Sequence, residues 1–340
     1  MQLDHDVKLD YSDVHLLPSR SSLASRSEVD VTSDFFDHRV VPIIAANMDG
    51  VGTFEMAIAL GKHNLMTALT KHYSLEQLLD FYTENEKIAH LAIYSMGTSL
   101  VDREKFLAFH EAVGTSGITP PAAVCVDVAN GYTRQFEEFL TEFAETFPEY
   151  ILIAGNVVTP EQTDRLLECG VDVVKVGVGP GSVCTTRKIA GVGYPQFSAV
   201  VECSAAARDA GGRIIADGGI TCPGDAAKAF GGGADLVMLG GALAGHLEGG
   251  GIVEHNKILF YGMASKQAQH LHNGGVADYR ASEGKVVSLN FRGPVEDTVK
   301  EYLGGIRSAC TYIGAEDISQ MHRKAKFVRV NRQINNVFGS

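Results

Sequence analysis

Short apolar runs rich in branched residues recur along the chain at 41–48, 65–69, 91–97, 122–129, 150–157, 172–179, 212–219 and 234–241. They lack the polar alternation of a half-solvated strand, so they read as parallel strands covered on both faces. Helical patterns lie between them. Ser74 and Gln77 in "SLEQ" have capping-box spacing, and Leu75, Leu78, Leu79 and Tyr82 then share one face. Phe136, Phe139, Leu140, Phe143 and Phe147 do the same after the fourth run. "TPEQ" at 159–162 offers a threonine N-cap with proline in the first turn, and Gly170 stops that helix. Eight strands alternating with helices over roughly 250 residues predict an α/β fold, a single (β/α)8 barrel. A doubly wound open sheet fits less well, because no GxGxxG turn leads from the first strand into a helix.

The expected organisation is one catalytic domain over residues 1–340. Residues 1–40 form an N-terminal extension, 242–292 a lid, and 293–340 a C-terminal helix and tail. The lid follows the eighth strand and is polar and glycine-rich. Part of it, "GIVEHNKILFYG", reads as a hairpin turning at His255 and Asn256. The next helix is expected near 295–305. Loops of that length are usually functional, and this one leaves the strand C-terminal face, where barrel enzymes keep their chemistry.

Composition narrows the function. The net charge of −12 argues against binding nucleic acid or an anionic membrane as the main activity. No apolar run approaches the roughly 18–20 residues of a spanning helix, and the polar N-terminus is unlike a signal peptide, so the chain reads as soluble and cytosolic. None of the six cysteines forms a CxxC pair, and most are expected to be small buried hydrophobes.

Cys184 is different. It lies in "GVGPGSVCTTR", a glycine-rich loop after the sixth strand. Gly218 and Gly219 end the seventh strand, and Gly240 and Gly241 end the eighth. Three such loops in succession suit a phosphate held on backbone N–H groups, with Ser182 adding a hydroxyl. Asp217 is anionic and suits ribose hydroxyls instead. A Cys184 thiolate there would gain from N–H dipoles and from Arg187, and Thr186 could relay a proton. The residues thus point to covalent attack on a nucleotide-like ligand.

"GVGPGSVCTTRKIAGVGYPQ", "PIIAANMD", "VDVANGY", "AGNVVT", "ADGGI" and "KAFGGGADLVMLGG" resemble the IMP dehydrogenase / GMP reductase family, whose members act at C2 of purine nucleotides. "KHYS", "ASRSEVD" and the lid "GGVADYRASEGKVV" are similar to its reductase branch. "LMTALTKHYSLEQLLDF" leaves no room for the CBS modules that dehydrogenases usually insert. The resemblance implies conversion of GMP and NADPH to IMP, ammonia and NADP⁺ through a thioimidate on Cys184, with Thr186 and Glu283 as the other catalytic groups. It implies GMP contacts at Ser182, Asp217, Gly218, Gly219, Gly240, Gly241, Gly262, Met263, Ala264, Arg280, Ala281, Ser282 and Gly284. It implies NADPH contacts at His72, Asp127, Val128, Ala129, Val178 and Gly179. A neighbouring subunit of a homotetramer would add Ser25, Arg26, Ser308, Ala309, Cys310 and Thr311, with Arg26 facing the 2′-phosphate. A monovalent cation such as K⁺ would sit at Gly179, Gly181, Cys184 and Arg187. Gly50 and Thr70 depart from the family pattern, where threonine and histidine are usual, and the loop 249–257 is short; these departures touch cofactor and lid details. The alternatives are an IMP dehydrogenase without CBS modules, a non-catalytic barrel that binds purine nucleotides, and a flavin-dependent barrel oxidoreductase.

Overall fold

The structure, a computed structural model, describes residues 3–275 and 281–331. Eight parallel strands form the barrel: β1 (His38–Ala45), β2 (Leu65–Ala68), β3 (Ala92–Met96), β4 (Ala123–Asp127), β5 (Ile151–Val157), β6 (Val173–Val176), β7 (Arg213–Asp217) and β8 (Leu236–Leu239). β8 pairs with β1, Val237 opposite Ile43, and so closes the barrel without a free edge. Every apolar run overlaps one strand. β1 starts at His38, inside the segment expected to precede the barrel, because Ser33–Phe35 folds back on it as an antiparallel hairpin. A second small ribbon ties Val14–Leu16 to Phe327–Arg329, joining the two ends of the chain.

Helices α1 (Phe54–Gly61), α2 (Leu75–Glu84), α3 (Leu100–Ser116), α4 (Arg134–Thr146), α5 (Pro160–Glu168), α6 (Gln196–Asp209), α7 (Pro223–Gly231) and α8 (Glu296–Ile313) alternate with the strands. The capping box is formed: Gln77 N–H donates to Ser74 Oγ at 3.2 Å, and Ser74 N–H to Gln77 Oε1 at 2.9 Å. Thr159 caps α5 with Pro160 in its first turn, and Gly170 follows that helix at φ +87°. Phe136, Phe139, Leu140 and Phe143 of α4 are buried against the barrel. No helix among the described residues is long and apolar enough to cross a membrane.

The lid differs from its expected form. His255 and Asn256 do make the tight turn, both with positive φ (+49° and +61°). Past the Glu254–Lys257 bridge, however, the preceding segment is not a strand. Gly250 and Gly251 take φ +67° and +94° there, which breaks an extended chain. The partner of β9 (Lys257–Tyr261) is instead β10 (Val286–Asn290), antiparallel, Ile258 opposite Leu289. A helix over Lys266–Asn273, capped by Ser265, lies between them. It was not visible as an apolar pattern, because its residues are mostly polar.

Candidate active site at the barrel mouth

The chain turns sharply after β6, where Gly177 and Gly179 have φ +154° and +89°. Cys184 N–H donates to Gly181 O at 3.0 Å, which tightens the loop around the sulfur. Cys184 Sγ lies 3.2 Å from Thr186 Oγ1, and the thiol is half-buried. The lid then runs antiparallel to this loop: Thr185 N–H donates to Glu283 O at 2.9 Å, and Lys285 N–H to Val183 O at 2.9 Å. Cys184 and Gly284 form the bridge between the two segments. Glu283, far away in sequence, is therefore set beside the sulfur loop. Its N–H donates to Ala264 O at 3.2 Å, and Ser282 Oγ to the same carbonyl at 3.3 Å. Gly262 N–H donates to Lys285 O at 3.2 Å, so Gly262, Met263 and Ala264 enter the site from the other side of the lid. Ala281 begins the described part of this segment, and Arg280 lies outside the described residues.

The glycine loops approach each other closely. A Cβ on Gly241 would collide with Ser182 Oγ, and one on Gly240 would come within 3.1 Å of Met48 Sδ. Gly218 and Gly219 adopt φ +93° and +77°, which turns the chain after β7 beneath Pro180. This cradle, which any side chain would fill, suits an anion held by main-chain N–H groups.

Asp217 is fixed from below. Asn156 Nδ2 donates to its Oδ2 at 2.9 Å, and Lys175 Nζ lies 3.4 Å from the same oxygen. Lys175 also reaches Asp127 Oδ2 at 3.3 Å, which accepts a second bond from Asn47 Nδ2 at 2.7 Å. The lysine is 1% exposed. Burial works against its charge, but Asp127, Cys125 and Asp217 outweigh burial and hold the ammonium well above the usual lysine range. Lys175 thus links the expected ribose carboxylate to an expected cofactor residue. The visible signal was a lone lysine in the apolar strand "VVKV". Asn156 Oδ1 is buried and unpartnered among the described residues, so it still has an acceptor to offer at the floor of the site.

Arg187 does not serve Cys184 as expected. Its guanidinium reaches Asp10 Oδ2 at 3.3 Å and Tyr194 O at 2.5 Å. The N-terminal extension attracts it away from the sulfur. Carbonyls of Gly179, Gly181 and Cys184 remain as the cation candidates, although Gly181 O already accepts one bond.

On the cofactor side, Val128 N–H donates to Gly155 O at 3.0 Å, with Ala129 just beyond, and Val178 O accepts from Tyr194 N–H at 3.3 Å. His72 is exposed at the end of β2, and its ring stacks on His272 of the lid helix at 3.3 Å. Although the residue as a whole is exposed, the lid helix covers one face of its ring, and that partial loss of water first, then the neighbouring His272, pull the His72 pKa down to about 4. Ser25 and Arg26 sit on a short turn packed against α8, which carries Ser308, Ala309, Cys310 and Thr311 on the barrel's outer wall. Arg26 is exposed and makes no ion pair among the described residues, which suits a phosphate ligand. Cys310 is fully buried, main chain included. Of the other cysteines, Cys125 and Cys203 are buried, whereas Cys222 is exposed and Cys169 half-exposed.

Residues 8–335 match the family described as the IMP dehydrogenase / GMP reductase domain. The chain belongs to that family. It is 52% identical over 347 aligned positions to GMP reductase 2 of Homo sapiens, covering 99% of this chain and 98% of the relative. It is 50% identical over 348 positions to GMP reductase 2 of Mus musculus, covering 99% of both chains. GMP reductase of Photobacterium profundum is 50% identical over 351 positions, covering 100% of this chain and 99% of that one.

Proposed function

We infer that this protein is a GMP reductase, converting GMP to IMP and ammonia with NADPH as reductant. The carrying observation is Cys184 Sγ at 3.2 Å from Thr186 Oγ1, in a loop hydrogen-bonded to the lid segment that bears Glu283. The glycine cradle with Ser182 binds the phosphate and Asp217 the ribose, residues 262–264 and 281–284 enclose the base, and Arg280 is a further expected contact. The Cys184 thiolate adds to C2 of guanine and forms a C–S bond. The C–N bond to the 2-amino group then breaks. Thr186 and Glu283 hand the departing nitrogen its proton, so ammonia leaves and a thioimidate remains on Cys184. When bound, NADPH supplies a hydride for C2. The C–S bond electrons return to sulfur, regenerating the thiolate and freeing IMP.

His72, Asp127, Val128, Ala129, Val178 and Gly179 would hold the NADPH. Ser25, Arg26 and Ser308–Thr311 would serve the NADPH of an adjacent subunit in a homotetramer, since they lie on the outer wall and not at the mouth. A K⁺ ion would rest on the carbonyls of the Cys184 loop, Arg187 contributing through its main chain, because carbonyl oxygens suit hard monovalent ions. Residues 1–340 act as one cytosolic catalytic unit with 242–292 as its lid. Residues 69–74 alone join β2 to α2, which supports the reductase over a CBS-bearing dehydrogenase.

The test is an assay with GMP and NADPH, followed by mass spectrometry of the acid-quenched protein incubated with GMP alone. Equal release of ammonia and loss of NADPH, with a purine nucleotide adduct on the Cys184 peptide, is expected. Turnover of IMP with NAD⁺ to XMP, or an adduct elsewhere, would overturn the reading.

A further inference from the structure

Three side chains from three distant parts of the chain meet at the edge of the mouth and take no part in the chemistry at Cys184. Asp49 follows β1, His72 follows β2, and His272 lies in the last turn of the lid helix. His272 Nε2 is 2.6 Å from Asp49 Oδ2. The imidazole planes of His72 and His272 are within 4° of parallel. One ligand atom from each of the three residues lies within 4.8 Å of the other two. The carboxylate is itself held in place: Tyr261 OH donates to Oδ2 at 2.9 Å, and Thr70 Oγ1 to Oδ1 at 3.1 Å. Thr70 is one of the positions that departs from the family pattern.

Two imidazoles and an oriented carboxylate are a donor set for a borderline divalent transition metal; a hard ion such as Mg²⁺ or Ca²⁺ wants mostly oxygen. Bonds of about 2.0–2.1 Å in a tetrahedron put ligand atoms roughly 3.3–3.5 Å apart, so the three ligand atoms, now within 4.8 Å of one another, must draw together on binding. The parallel rings must splay, because a ligating lone pair lies in the ring plane. The ion takes the place of the hydrogen bond between His272 Nε2 and Asp49 Oδ2, with the Nε2 lone pair turned to the metal. The hydrogen bonds from Tyr261 and Thr70 act as the outer shell that orients a ligating carboxylate.

We propose that Asp49, His72 and His272 bind one Zn²⁺ ion per chain, which fastens the lid helix to the loops after β1 and β2. Binding stands independently of the reaction assigned above. Its effect on turnover rests on that reading, because His72 is there a cofactor contact: Zn²⁺ should raise the KM for NADPH.

Full-length protein, dialysed against chelator and then freed of it, is titrated with Zn²⁺ by calorimetry. One site per chain is expected, weakened at least about 10-fold in His272→Ala and in Asp49→Asn. Co²⁺ should give a spectrum without sulfur-to-cobalt charge transfer, which excludes the cysteines as the ligands seen. Hydrogen exchange in residues 266–272 should slow with Zn²⁺ in the wild type and not in His272→Ala. Circular dichroism verifies that each variant folds, and His272→Gln serves if the alanine variant does not. Absent stoichiometric binding, unchanged affinity in both variants, or a sulfur-to-cobalt band would overturn the site. If Zn²⁺ binds as stated but leaves the KM for NADPH unchanged, the cofactor assignment of His72 fails and the metal site stands.

Discussion

The barrel and the lid are both built from strands, yet opposite forces hold them. β2, β6 and β8 are buried at every position, including Lys175 of β6, and pair in parallel on both sides. β9 and β10 alternate between covered and exposed positions and pair with each other. Removing a barrel strand would expose apolar area on two faces, whereas lifting the lid edge from the Cys184 loop breaks chiefly main-chain bonds such as Thr185–Glu283 and Lys285–Val183. On the proposed mechanism, the nucleophile Cys184 stands on the barrel side of the cleft and the carboxylate of Glu283 on the lid side, so a nucleotide would enter before the proton-handling group closes over it.

The sharpest break in that comparison is Cys184→Ala, which removes the proposed bond-forming atom. GMP-dependent NADPH oxidation should fall by on the order of 10⁴-fold or more. Glu283→Gln tests the moving side: kcat should fall by about 10²–10⁴-fold while the Cys184 loop remains as reactive to a thiol reagent as before. Gly284→Ala tests how the two sides meet. Its Cβ would lie 2.7 Å from Ser265 N, so the lid must shift; activity should drop by up to about 10²-fold with little change in melting temperature.

Lys175→Met probes the rigid side by leaving Asp127 and Asp217 without their shared cation. Breaking a fully buried pair costs about 3–5 kcal/mol, and here about 2 kcal/mol is expected, because both carboxylates keep some contact with water. Urea unfolding measures it, and an unchanged midpoint would remove Lys175 from the structural account. The smallest effect is a labelling contrast. Burial pushes the Cys125, Cys203 and Cys310 thiols up to about 12, so at pH 8 they stay protonated and inside the fold. Iodoacetamide should modify Cys184 and the exposed Cys222 first. Bound GMP should protect Cys184 alone.

Local order along the chain is what the amino-acid sequence by itself determined. The eight apolar runs became the eight barrel strands, the Ser74–Gln77 box closed, Gly170 followed α5, and His255–Asn256 made its turn. Each of these depends on neighbours a few residues away, or on burial of an element as a whole, and both leave a periodic trace. The Cys184 loop stood out as a candidate for the same local reason, because glycine, serine and cysteine at a strand end form a chemical pattern within one short segment. Partners chosen across long separations were decided only by the tertiary structure. β9 took β10 and not its sequence neighbour, since paired glycines broke the nearer segment. Arg187 turned to Asp10, 177 residues away. Lys175 found two carboxylates on other strands, and Asp49 met His272 across 223 residues. Charge and hydrogen-bonding capacity can be read from a residue's type, but the partner that satisfies them depends on which loops the closed barrel and its lid bring to the same edge.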